Sequence, residues 1–175
     1  MHEYVFFDTA LGRCAIAWGP GGIAAVELPG ADERSTRRRI GRSLPGAVEA
    51  VPPADVERAI AEIAALMDGE PRDLAAIVLD MDGVGEFERR VYEVARSVPP
   101  GETITYGDIA ARIGERGAAQ AVGRALGRNP FPIVVPCHRV LAADGSLRGF
   151  SAPGGIETKR RMLAIEGAGA PTLFA

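Results

Sequence analysis

The chain opens with three short apolar runs, Tyr4-Val5-Phe6-Phe7, Cys14-Ala15-Ile16-Ala17-Trp18 and Ile23-Ala24-Ala25-Val26-Glu27-Leu28. Leu11-Gly12 and Gly19-Pro20-Gly21-Gly22 separate them. Glycine enters positive φ cheaply, so both junctions read as turns, and the pattern predicts a three-stranded antiparallel meander. From Asp32 to Leu44 the chain becomes charged, with a basic cluster at Arg37-Arg38-Arg39, and predicts a helix. Pro52-Pro53 open a second helix, on which Val56, Ile60, Ile63 and Met67 recur at helical spacing until Gly69. Leu74 to Met81 reads as extended, and Asp82-Gly83-Val84-Gly85 as a boundary.

Beyond that boundary Phe87, Val91, Val94 and Val98 share one helical face, and Pro99-Pro100-Gly101 stop the helix. Thr105 followed by Asp108 is close to a capping box and starts a helix carrying Ile109, Ala110 and Ile113, which ends at Gly114. A small-residue helix follows over 118–127. Two short helices about a glycine-containing turn read as helix-turn-helix, or equally as an ordinary packed pair. Ile133-Val134-Val135, set among Pro130, Pro132 and Pro136, reads as a buried strand that ends in proline and then presents Cys137 and His138. A hairpin is expected around Ala143-Asp144-Gly145, a last helix from Ile156 to Glu166 stopped by Gly167, and a loose tail over 168–175.

Composition bounds the class. Of 175 residues, 47% are hydrophobic and 25% charged, the proportions of a soluble globular chain. No apolar run approaches the ~20 residues of a membrane span. No basic region precedes an apolar core at the N-terminus, so no secretory signal is visible and the expected location is the cytoplasm. Two cysteines cannot make a disulfide framework.

The net charge of −3 and a pI near 5.5 argue against nucleic acid until they are split by position. Residues 1–82 hold 8 Arg against 14 acidic residues, a net of −6. Residues 112–161 hold nine cations (Arg112, Arg116, Arg124, Arg128, Arg139, Arg148, Lys159, Arg160, Arg161) against Glu115, Asp144 and Glu157, a net of +6. Such asymmetry hints at a polyanion, or marks a solvated face.

Candidate chemistry is sparse. His2 is terminal, and His138 stands beside Cys137. A cysteine nucleophile needs its thiolate stabilised by an imidazole or a guanidinium, and Arg139 is adjacent. A buried structural cysteine beside a capping histidine fits the dipeptide as well. No Cys-x-x-Cys, P-loop or dinucleotide fingerprint is present, so neither metal nor cofactor is expected.

In order, Tyr106-Gly107-Asp108, Ala121-Val122-Gly123, Asn129-Pro130, Pro136-Cys137-His138-Arg139-Val140 and Glu166-Gly167 resemble the O6-alkylguanine-DNA alkyltransferase family. The resemblance runs from about Phe87 to Gly167. It implies an α/β (α+β) fold: residues 1–82 an N-terminal domain of antiparallel strands and helices, residues 83–167 a helical, winged helix-turn-helix-like domain that binds DNA and carries the active site. The implied function is direct-reversal repair. A damaged guanine is flipped out of the duplex, and Cys137 takes its alkyl group in a single turnover. His138 takes the thiol proton through a water, Glu166 orients the imidazole, Asn129 positions the Cys137 region, and the Tyr106 hydroxyl bonds the base. The carbonyls of Cys137 and Val140 accept from the guanine amine. Ser151, Phe150 and Leu126 complete the substrate contacts.

The 118–127 helix then enters the minor groove through Ala119, Gln120, Ala121 and Gly123, with Arg124, Arg128 and Arg139 as DNA contacts. The implied partner is double-stranded DNA containing alkylated guanine, the protein acts as a monomer, and no cofactor or membrane is involved. Two positions depart from the family pattern: Gln120 replaces the usual Arg, and Phe150 the frequent Tyr. Ser151-Ala152-Pro153 also lengthens the loop over the pocket relative to some members. A lesion sensor that binds without transfer, a helix-turn-helix regulator with a structural Cys137, and a cysteine hydrolase are the competing readings.

Overall fold

The computed structural model describes residues 1–147, 150 and 152–168. Strands β1 (Glu3–Thr9), β2 (Gly12–Gly19) and β3 (Gly22–Glu27) form the expected antiparallel meander. A two-residue strand, β4 (Val48–Glu49), adds to the far edge in parallel with β1, giving the order β3-β2-β1-β4. The central strand β2 is buried on both faces, which explains its unbroken apolar run. Its alternation still sorts the core. Ala15 and Ala17 pack with Tyr4, Phe6 and Ile40 of α1 (Glu33–Ser43), whereas Cys14, Ile16 and Trp18 join the main core with Val56 and Ile63 of α2 (Ala54–Met67).

That main core continues through the second half of the chain, so one apolar interior serves both. Asp32 caps α1 through a reciprocal box with Ser35, and Thr105 does the same with Asp108 for α4 (Tyr106–Arg112). Helix α3 (Glu86–Arg96) packs against α5 (Ala119–Gly127), and the Tyr92 hydroxyl donates to the Ala125 carbonyl at 2.6 Å inside the core. Between α4 and α5, Gly114 and Gly117 take φ of +78° and +88°, the tight turn that sets the helix pair.

Three expectations differ from what is found. Residues 74–81 are not a strand and touch the sheet through one bridge, Ile23 to Leu79. Residues 131–135 are turns rather than a buried strand. Prolines 130, 132 and 136 offer no N–H for a ladder, and the Val135 N–H closes back on the Phe131 carbonyl at 2.8 Å. The Ala143–Gly145 turn forms, but β6 (Val140–Leu141) before it pairs in parallel with β5 (Ile104–Thr105). Helix α6 (Gly155–Ile165) then delivers Glu166 at its C-terminus. Ser151 and the tail from residue 169 lie outside the described residues, and among the described residues no helix is long and apolar enough to cross a membrane.

Candidate active site

The site is built on the turn that replaces the expected strand. The Asn129 side chain organises it: Oδ1 accepts from the Phe131 N–H at 2.8 Å, and Nδ2 donates to the Val135 carbonyl at 2.9 Å. Ile133, 1% exposed, is held at φ +76°, a conformation that costs a β-branched residue about 1–3 kcal/mol and persists only where packing imposes it. The chain then enters a short 3₁₀ turn, Cys137–Arg139, which separates three successive side chains. Cys137 faces a cavity of about 180 Å³, while His138 and Arg139 point into the protein.

Burial pushes the Cys137 thiol up, and a hydrogen bond from Asn129 and the charge of Lys159 offset this only in part. A standing thiolate is therefore disfavoured, and the sulfur needs a base. His138 is fully buried, and desolvation holds its pKa below the usual histidine value despite the Glu166 carboxylate. Its Nε2 lies 3.0 Å from Glu166 Oε2. An ionised carboxylate only accepts, so Nε2 carries the proton and Nδ1 keeps its lone pair. Nδ1 has no hydrogen-bond partner among the described residues. The histidine is thus a neutral base with its basic nitrogen uncommitted. Burial would raise the Glu166 pKa, but Arg139 and then His138 outweigh it and hold the carboxyl to about 2.

Arg139 is the clearest correction to the expected DNA contacts. It is 5% exposed, grips Glu166 with Nε at 2.8 Å and Nη2 at 2.7 Å, and donates to the Val98 carbonyl at 2.6 Å. All its reach is directed inward, so it cannot meet a phosphate. Arg128 is exposed and pairs with Glu88 at 3.0 Å. Gln120 and Arg124 are exposed on α5, with Ala119, Ala121 and Gly123 half-buried beside them. A Cβ on Gly123 would stand 3.9 Å from the Tyr106 ring, so α5 lies directly against that tyrosine.

Tyr106, Leu126, Asn129, Cys137 and Phe150 share the cavity wall, joined by Pro132 and Lys159. Val140 does not line it. The Val140 carbonyl accepts from Lys159 Nζ at 2.6 Å and the Cys137 carbonyl from the Val140 N–H, leaving each oxygen one lone pair for a ligand.

Lys159 was counted above with the cations of the basic stretch, yet it is 1% exposed. Its ammonium lies 3.4 Å from the Tyr106 hydroxyl and 5.9 Å from the centre of the Phe150 ring, and burial lowers its pKa to about 8. The signal for it was present: it is the single lysine in a chain that otherwise uses arginine. Glu27 and Arg39, from the N-terminal half, also line the cavity, and no motif pointed to them.

Residues 86–168 match the family described as 6-O-methylguanine DNA methyltransferase, DNA binding domain. The methylated-DNA–protein-cysteine methyltransferase of Methanothermobacter thermautotrophicus is 36% identical over 152 residues, covering 87% of this chain and 78% of that protein. Its namesake from Mycolicibacterium paratuberculosis is 46% identical over 119 residues, 66% of this chain and 70% of that one. The structure of Mycobacterium tuberculosis O6-methylguanine methyltransferase superposes with a TM-score of 0.77 at 34% identity, over 100% of both chains. The structure of M. tuberculosis OGT in complex with DNA gives 0.75 at 32%, over 99% of both.

Proposed function

The chain belongs to the O6-alkylguanine-DNA alkyltransferase family, and on that premise we propose that it repairs O6-alkylguanine in duplex DNA by moving the alkyl group onto Cys137. The observation that carries the reading is the neutral, buried His138, tied to Glu166 through Nε2 with Nδ1 uncommitted, directly after the cavity-lining Cys137 in the chain. A general base in that state suits a thiol whose own pKa is raised.

Helix α5 enters the minor groove with Ala119, Gln120, Ala121 and Gly123 close to the bases and Arg124 on phosphate. The damaged guanine swings into the cavity, which costs a few kcal/mol and least for a weakened pair. His138 takes the Cys137 proton through one water. The sulfur attacks the alkyl carbon, the S–C bond forms, and the C–O bond breaks with its electron pair passing to O6. The Tyr106 hydroxyl donates to the base and offsets this charge, and protonation of the ring restores guanine. The carbonyls of Cys137 and Val140 hold the exocyclic amine, and Leu126 and Phe150 flank the base. The thioether has no second nucleophile to release it, so each molecule acts once. The division into an N-terminal unit (1–82) and a DNA-binding unit (83–167), action as a monomer in the cytoplasm and independence of cofactors belong to the same proposal.

The test is intact mass after exposure to a duplex holding one O6-methylguanine. The chain should gain one methyl, mapped to Cys137, and Cys137→Ser should bind the same duplex and gain nothing. A methyl on Cys14 would sink the mechanism. That thiol is fully buried in β2, and desolvation raises its pKa to about 11.

A further inference from the structure

The cavity in front of Cys137 is not made by the second half of the chain alone. Val26, Glu27 and Leu28, at the end of β3, and Arg39 of α1 close one side of it. Arg39 donates from Nε to Glu27 Oε1 at 2.8 Å and from Nη2 to the Leu28 carbonyl at 2.7 Å. The two side chains are 22% and 18% exposed, so the ion pair is mostly shielded from water. Gly30 leaves the space that the guanidinium fills: a Cβ there would stand 2.6 Å from Arg39 Nη1. The strand is fastened to the active-site turn as well, because the Val26 N–H donates to the Pro130 carbonyl at 2.9 Å, one residue from Asn129. This wall is therefore anchored both to the sheet and to the turn that presents Cys137.

Its placement has a consequence for size. The cavity measures about 180 Å³, and one of about 150 Å³ holds a single benzene. A methyl group carries nothing past the reacting carbon, whereas a benzyl group brings a ring of benzene's own size into the same pocket. Where that ring meets this wall, Glu27 and Arg39 must swing aside and give up their mutual bond and the Leu28 carbonyl, or accept an apolar group against a mostly shielded charge pair. Both are unfavourable.

We propose that the Glu27–Arg39 pair is the specificity-determining wall of the alkyl pocket, admitting small alkyl groups and holding back aromatic ones. This rests on the reading of the cavity as the lesion pocket. The experiment compares single-turnover transfer from duplexes carrying O6-methylguanine and O6-benzylguanine, in the wild type, Glu27→Ala, Arg39→Ala and Glu27→Gln. The benzyl-to-methyl rate ratio should rise about tenfold in both alanine variants, the range that one ill-fitting group in a pocket commands. It should stay near the wild-type ratio in Glu27→Gln, which keeps the length and an acceptor for Arg39. Each molecule reacts once, so the amplitude counts folded protein and the rate constants describe only that fraction. An unchanged ratio in both alanine variants, with methyl transfer proceeding, overturns the wall alone. A wild type that gains no methyl from the first duplex overturns the reading of the cavity and the wall with it.

Discussion

Lys159 shows what burial does to a residue that composition treats as surface. Its pKa falls from 10.5 to about 8, and at about 1.4 kcal/mol per unit the charge costs on the order of 3 kcal/mol at neutral pH. The sign follows from proton binding. The unfolded chain holds this proton more tightly, so the cost is fully present below pH 8 and is relieved as pH rises toward 10.5. Lys159→Met removes that cost but leaves the Val140 carbonyl without its donor, which gives back about 1–3 kcal/mol, so the melting temperature should rise by only a few degrees, at roughly 2–4 °C per kcal/mol for a chain of this size. It should also slow transfer, because the Tyr106 hydroxyl loses its cationic neighbour. A lower melting temperature would make the lysine a structural element, and an unchanged transfer rate would remove it from the chemistry.

Glu166 runs the other way. Its carboxyl, held near 2 in the folded chain, contributes stability above its unfolded value, and this is lost as pH falls from about 4.5 toward 2. Glu166→Gln should flatten that acid limb in melts taken across pH. It should also cost about 3–5 kcal/mol, since the Arg139 charge is left buried without its partner, and slow transfer further. An acid limb identical to the wild type's would assign the stability to another carboxylate. Cys137 and His138 were singled out by the Pro136–Val140 pentapeptide that carries the family resemblance, not by their adjacency. The inward course of Arg139 and Lys159 was not legible, because residue type does not report which side of a turn or helix the core lies on.

Elements were legible where the signal was local. The box at Thr105, the glycines that end helices and the apolar runs of β1 to β3 all sit within a few residues of the structure they specify. The 131–136 turn was misread because its apolar residues are buried by tertiary packing while Asn129 supplies its hydrogen bonds, and a two-residue strand such as β4 has no pattern to read. Helix α5 carries the element-scale prediction. Gln120 is exposed at its first turn, with Arg124 one turn on along the same face. A guanidinium at 120 can stack on neighbouring bases and fill the gap left by a flipped guanine, whereas Gln stacks over less area and has no charge. Gln120→Arg should raise transfer from duplex DNA carrying O6-methylguanine and leave transfer from the free O6-methylguanine base nearly unchanged, because a free base needs no flipping. An equal gain on both substrates would place residue 120 in the pocket. No gain on duplex would mean that Gln120 or Arg124 already fills the stack.

At the scale of the whole molecule, the structure reduces the charge argument to a smaller set of residues. Of the nine cations between 112 and 161, Arg139 and Lys159 are buried, and Arg128 and Arg160 pair with Glu88 and Glu157. Arg161 donates to the carbonyls of Ala10 and Leu11, and Arg148 lies outside the described residues. Arg112, Arg116 and Arg124 remain exposed on and between α4 and α5, with no ion pair among the described residues. Each phosphate neutralised contributes about −0.9 to the slope of log affinity against log salt, so three contacts give roughly −2.7 and nine would give about −8. Affinity for an unmodified duplex, titrated by fluorescence anisotropy across salt, should therefore show a slope near −3. Arg116→Gln or Arg124→Gln should each reduce it by about one unit. A flat response would remove phosphate contact from the account. A slope near −6 would bring in a second set, Arg34, Arg38 and Arg42, which recur every four residues along the exposed face of α1. In that case the acidic half of the chain would hold DNA as well.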